Sequence, residues 1–174
     1  MKKIDVFPAE LKIRYKGFFD WGGLYRLVYN WIINRKFRYH EKRYKDKIDT
    51  ALGNEIEVET WGEKEITEYY QYKVEVNYHL WESREVPVVI KGKEVMMMRG
   101  RIDIKIKGTL ITDWQKRYDS DNNLRHKLME MFLNKVILKN EIEMKYIDPF
   151  DKDLHALEGE IKKFLKIEAD TISV

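Results

Sequence analysis

The sequence predicts an α+β domain: a curved antiparallel sheet packed on an amphipathic helix, with two further helices at the C-terminal end. Three patterns carry that expectation. Apolar and charged residues alternate with period two through much of residues 36–112. A broad apolar arc of helical period occupies about 20–35. Helical stripes return at about 122–138 and 149–166. A chain of 174 residues, 44% hydrophobic and 13% aromatic, is long enough for one core and too apolar for disorder, so residues 1–174 read as a single domain.

Leu11-Lys12-Ile13-Arg14-Tyr15-Lys16 alternates as a strand with one buried face, and Gly17 reads as its end. Asp20 is an N-cap candidate for the helix that follows. On that helix Trp21, Leu24, Tyr25, Leu27, Val28, Trp31 and Ile32 share one arc, opposite Arg26, Asn30 and Asn34. Ile56, Val58 and Thr60 then alternate with Glu55, Glu57 and Glu59. Ile66, Tyr70, Tyr72, Val74, Val76, Tyr78 and Leu80 share the parity of a longer strand. Val86–Ile90, Lys91-Gly92 and Val95–Met98 form a hairpin signal, because glycine supplies the positive φ of a tight turn. Ile102, Ile104, Ile106 and Leu110 continue one face, and Gly100 and Gly108 suggest bulges or bends. Asp119–Asn123 reads as a loop before an all-round apolar helix at about 124–138. Asp148-Pro149 reads as an N-cap followed by a first-turn proline, and Leu154, Leu157, Ile161, Phe164 and Leu165 form the stripe of the last helix.

The net charge of +3 conceals blocks. Residues 1–53 hold 13 Lys/Arg against 6 Asp/Glu, and residues 54–85 hold 3 against 9. Acidic and basic strands lying side by side account for much of this without any ligand. Residues 35–47 stand apart from that explanation, with seven Lys/Arg, two acids and three aromatic rings in thirteen residues. Cations for phosphates interleaved with rings for bases suit single-stranded nucleic acid or RNA. The same composition suits anionic headgroups, and a lysine-rich edge strand protected from aggregation also fits it. The candidate binding residues are therefore Arg35, Lys36, Arg38, Tyr39, Lys42, Arg43, Tyr44 and Lys45.

The chemistry of common enzyme classes is missing. With no cysteine, disulfides, thiolate metal sites and thiol nucleophiles are excluded. His40, His79, His126 and His155 show no two-ligand spacing, and Asp119–Asn123 lacks the glycine and distal glutamate of a calcium loop. Ser83, Ser120 and Ser173 lie in no nucleophile elbow, and phosphate-cradling glycine motifs are absent. No cofactor or metal is expected. No apolar run approaches the ~20 residues of a membrane span, and Asp5 interrupts a possible leader, so a soluble cytoplasmic chain is expected.

Tyr39-His40-Glu41-Lys42-Arg43-Tyr44 and Gly100-Arg101-Ile102-Asp103-Ile104-Lys105-Ile106-Lys107-Gly108 are similar to stretches of uncharacterised archaeal proteins. That resemblance implies an intracellular placement and no particular activity. The order of strand, helix, antiparallel meander and long helix also resembles the helix-grip arrangement, whose sheet wraps a helix around an apolar cavity. Here the chain departs from the pattern by having one helix after the first strand and an additional C-terminal helix. The expectation is a non-catalytic binding or assembly module using the 35–47 surface, with a protein partner or a second copy as its main partner class. Two alternatives are carrying a small apolar ligand in a cavity lined by Trp31, Tyr70, Tyr72, Val74, Ile104 and Ile106, and binding single-stranded nucleic acid.

Overall fold

In the computed structural model, residues 2–47, 53–90, 93–115 and 142–165 are described. The expected helix at about 122–138 and the loop before it lie outside these residues. The fold is α+β, with an open, curved, mostly antiparallel sheet of six strands. These are β1 (Lys2–Asp5), β2 (Leu11–Phe19), β3 (Arg38–Lys47), β4 (Asn54–Glu65), β5 (Tyr70–Ile90) and β6 (Lys93–Thr112). Helix α1 (Trp21–Asn34) separates β2 from β3, and α2 (Asp148–Phe164) follows a π-helical turn at Glu143–Ile147. The strand order is β1-β6-β5-β4-β3, and β2 shares the β1 side of β6.

Parity sets the two faces. Ile13, Val58, Val74, Val76, Tyr78, Leu80, Ile102, Ile104, Ile106 and Leu110 are buried on the inner face, as their alternation requires. Helix α1 buries Leu24, Val28, Trp31 and Ile32 against it, and α2 buries Phe150, Leu154, Leu157 and Ile161. One row of the sheet is cut low to receive both helices: Gly62, Val74 and Gly108 are register partners across β4, β5 and β6. A Cβ on Gly62 would meet Ile32 of α1 at 2.9 Å, and one on Gly108 would meet Leu154 of α2 at 2.2 Å. Gly108 thus marks close helix approach, where a bulge or bend was expected.

Local chemistry fixes the helix ends. The Asp20 carboxylate accepts from the Gly23 amide at 2.8 Å, satisfying one orphan donor of the first turn. At the other end Lys36 adopts φ 62°. Its amide donates to Ile33 and the Phe37 amide donates to Ile32, which closes the helix in a Schellman motif. Asp148 departs from the N-cap expectation. The chain is already coiled through Glu143–Ile147, Asp148 itself has helical angles, and no side chain caps this end.

Two strand limits also differ from the sequence pattern. Gly17 lies inside β2, opposite Gly100, and pairing continues to Phe19. Ile66 falls in the turn between β4 and β5, where its amide donates to Tyr70. Beside Gly100, β5 carries a bulge between Trp81 and Arg84, and a Cβ there would lie 2.9 Å from the Trp81 carbonyl oxygen. Past the Glu85–Met98 pair, where β2 ends, β5 and β6 run on as a two-stranded ribbon, with Ile90 and Lys93 as its last register pair. The hairpin is therefore present where the sequence places it, and its two connecting residues lie outside the described ones.

Candidate functional site

Strand β3 holds the basic–aromatic segment and forms one edge of the sheet. Its outward cations stand in register with the acids of β4 rung by rung: Arg38 opposite Glu63, Arg43 opposite Glu59, Lys45 opposite Glu57 and Lys47 opposite Glu55. Arg38 lies 3.2 Å from Glu63 and 2.9 Å from Glu65. Lys42, at the β3 bulge, reaches Glu59 at 2.7 Å, and Lys47 reaches Glu55 at 2.7 Å. Arg43 sits 3.7 Å from Glu59 and 3.9 Å from Glu57. Those cations hold the Glu59 and Glu55 carboxyls below the usual carboxylate range, with the hydrogen bond from Lys42 and from Lys47, respectively, as the leading cause. The β3 charge is thus matched by the acids of β4, contrary to the expectation that it stands apart.

Three further residues of that segment, Arg35, Lys36 and Tyr39, serve the fold. Arg35 pairs with Asp153 of α2 at 3.5 Å and lies 4.2 Å over the Trp31 ring. Lys36 is the left-handed residue of the helix stop. Tyr39 is half-buried; its hydroxyl bonds that of Tyr25, and its ring meets Tyr29 edge-on at 4.9 Å. Tyr25 also donates to Glu41, and burial, followed by these two bonds, pushes its phenol far up. Tyr44 is 51% exposed.

The six residues named for a cavity divide between the core and its margin. Trp31, Val74, Ile104 and Ile106 are at most 3% exposed and belong to the packed core. Tyr72 stacks on Phe150 at 4.2 Å and donates to the Tyr146 carbonyl at 2.6 Å, and Tyr70 packs on Tyr146 at 4.5 Å.

A different arrangement appears on the outer face of β2, β6 and β5. Lys12 stands directly opposite Lys105, Lys16 opposite Arg101, and Arg84 opposite Arg99. Like charges placed directly opposite each other in a sheet destabilise it. Two acids enter this group: Asp103 pairs with Arg14 at 3.2 Å, and Glu82 with Arg101 at 3.4 Å. Among the described residues, Lys12, Lys16, Lys105, Arg84 and Arg99 have no acidic partner. On the same face an open cleft of about 580 Å³ is lined by Arg14, Tyr15, Lys16, Trp81, Arg101 and Asp103.

The β5 bulge shapes this cleft. Glu82 takes φ 56°, and Ser83 turns inward to donate to the Asn54 carbonyl at 2.8 Å. Trp81, just before the bulge, points outward by the same alternation as His79. His79 stacks on its ring at 3.7 Å, and the Arg101 guanidinium lies 5.6 Å from its centroid. One rung along β6, Arg99 lies 5.7 Å over the ring of Phe18, which is 49% exposed. Sequence reasoning saw the alternating cations of β2 and β6 but missed the site, because only the register shows that they face one another.

Glu55, Glu57 and His79 also bring three donor atoms within 4.8 Å of one another. The His79 Nε2 is 2.8 Å from Glu55, and the Lys47 ammonium already supplies a cation to the same carboxylate. That group belongs to the charge ladder of β3 and β4. No helix among the described residues is long and apolar enough to cross a membrane. No protein-family model matches the chain, and no curated protein matches it either.

Proposed function

We propose that this chain is a non-catalytic binding module that holds a phosphate-rich polymer across the outer face of β2, β6 and β5. One observation carries the reading: cations are set opposite cations on three rungs there, whereas the β3 cations are set opposite acids. A sheet arranged only for stability would alternate the signs on both halves. Polymer phosphates supply the missing counter-charge, and their release of condensed counterions supplies affinity. The role expected of residues 35–47 therefore moves to the other half of the same face.

The distinguishing property is a trade between stability and binding. Removing a charge from a like-charged rung relieves repulsion, so Lys105→Ala should leave the melting temperature unchanged or slightly raised. The same substitution should weaken binding of a fluorescent oligonucleotide, measured by anisotropy at low salt. A Lys105→Ala protein that binds as tightly as the parent, or melts well below it, would refute the proposal.

A further inference from the structure

Resting on that reading, we infer that the polymer is a single-stranded nucleic acid whose unpaired bases stack on the Trp81–Arg101 and Phe18–Arg99 units. Polyphosphate or a duplex would need only the cations. Here each of two adjacent outward positions on β6 carries a guanidinium beside an aromatic ring from the neighbouring strand. Phe18 is the register partner of Arg99, and Trp81 is the register partner of Arg101. Outward positions two residues apart on a strand are ~7 Å apart, so the two units form a short row along β6. Rings and guanidinium planes set in a sheet face are surfaces on which unpaired bases stack, and stacking tolerates any base sequence.

The surroundings fit the same ligand. The cleft beside Trp81 holds Arg14 and Lys16, which place cations next to the stacking surface for the phosphates on either side of a base. Lys12 and Lys105 carry the positive track onward along the strands. The contact with His79 orients the Trp81 ring, and the next residue, Glu82, takes a positive φ that side chains rarely adopt. Such backbone strain concentrates at functional sites. Duplex DNA hides its base faces in the stack, so it would leave both rings unused.

The test compares three probes of similar charge on the full chain: a single-stranded oligonucleotide, the duplex of the same sequence, and inorganic polyphosphate. The single strand should bind at least ten-fold more tightly than either of the others. Trp81→Ala should weaken the single strand roughly 5- to 150-fold, the range of one lost base stack, and leave polyphosphate within two-fold. Trp81→Tyr should restore most of the loss. Phe18→Ala, at a half-exposed position, should weaken the single strand selectively and provides a second variant should Trp81→Ala unfold. Equal affinity for all three probes would overturn the single-strand inference and leave the polyanion reading standing. Binding of none of them would overturn both.

Discussion

Adding one methyl group at Gly108 tests how α2 is seated. The new Cβ would lie 2.2 Å from a Leu154 methyl, and 3.3 Å from both the Phe150 ring and a Val6 methyl. Ordinary carbon contacts are ~3.5–4 Å, so Leu154 must retreat by more than an ångström. It has nowhere to go, because Leu154 is fully buried and Phe150 is 1% exposed. Overpacking of this kind costs ~1–3 kcal/mol, so Gly108→Ala should lower the unfolding free energy by that amount. Leu154→Ala alone should cost ~2–5 kcal/mol by opening a cavity. In the double variant the methyl group added at position 108 enters the vacated space, so the two costs should not add. Urea denaturation followed by circular dichroism measures all three variants, and a coupling of ~1–2 kcal/mol is expected. Additivity within ~0.5 kcal/mol would show that α2 does not sit on this glycine.

Other perturbations read other parts of the account. Ile104→Asp places an unpaired carboxylate at a fully buried position and should cost several kcal/mol, whereas Lys105→Ala on the opposite face should change stability by under ~0.5 kcal/mol; similar melting curves would contradict the facial assignment. Lys36→Gly removes the left-handed penalty at the α1 stop and should stabilise by ~0.5–1 kcal/mol; a loss of stability would contradict the Schellman geometry. Ile161→Ala in the buried stripe of α2 should cost ~2–4 kcal/mol without changing the mass in solution. Burial, as the leading cause, holds the phenols of Tyr25, Tyr39, Tyr44, Tyr70, Tyr72 and Tyr78 above their ordinary value of 10.0, with Tyr72 pushed up to about 12. A folded-state value above the unfolded one gives stability that is complete below about pH 10 and lost as pH rises through the folded value. Spectrophotometric titration should therefore show these six phenols ionising only as the fold is lost; their ionisation near the ordinary phenol value with the fold intact would contradict this.

The core was legible because it depends on period alone. Ile102, Ile104 and Ile106, or Leu24, Val28 and Ile32, declare their face without reference to anything distant. Phe150 belongs to the α2 stripe by its spacing to Leu154, yet the neighbouring proline drew attention to capping instead. Lys36 carries no glycine to announce a left-handed stop, and Gly108 reads as a bend until a helix is known to lie above it. Charge was the least legible feature. Whether Arg43 meets an acid and Lys16 meets an arginine is decided by the registers of β3 with β4 and of β2 with β6. Those of β2 with β6 are far from local, since α1 and three further strands lie between the two in the chain. Composition placed the candidate site on the most basic segment, whereas the register places the unmatched charge on the other half of the sheet.

The salt dependence of single-strand binding in two triple variants tests this account most directly. One removes Lys12, Lys16 and Lys105 from the like-charged rungs, and the other removes Lys42, Lys45 and Lys47 from the matched ladder, all as alanine substitutions. Each neutralised phosphate contributes roughly −0.7 to the log–log slope of affinity against salt, so three to five contacts give the parent a slope of about −2 to −3.5. The first variant should flatten that slope by about 2 units, and the second should leave it close to the parent value. A slope that survives loss of Lys12, Lys16 and Lys105 but collapses on loss of the β3 lysines would contradict the assignment and return the binding surface to residues 35–47.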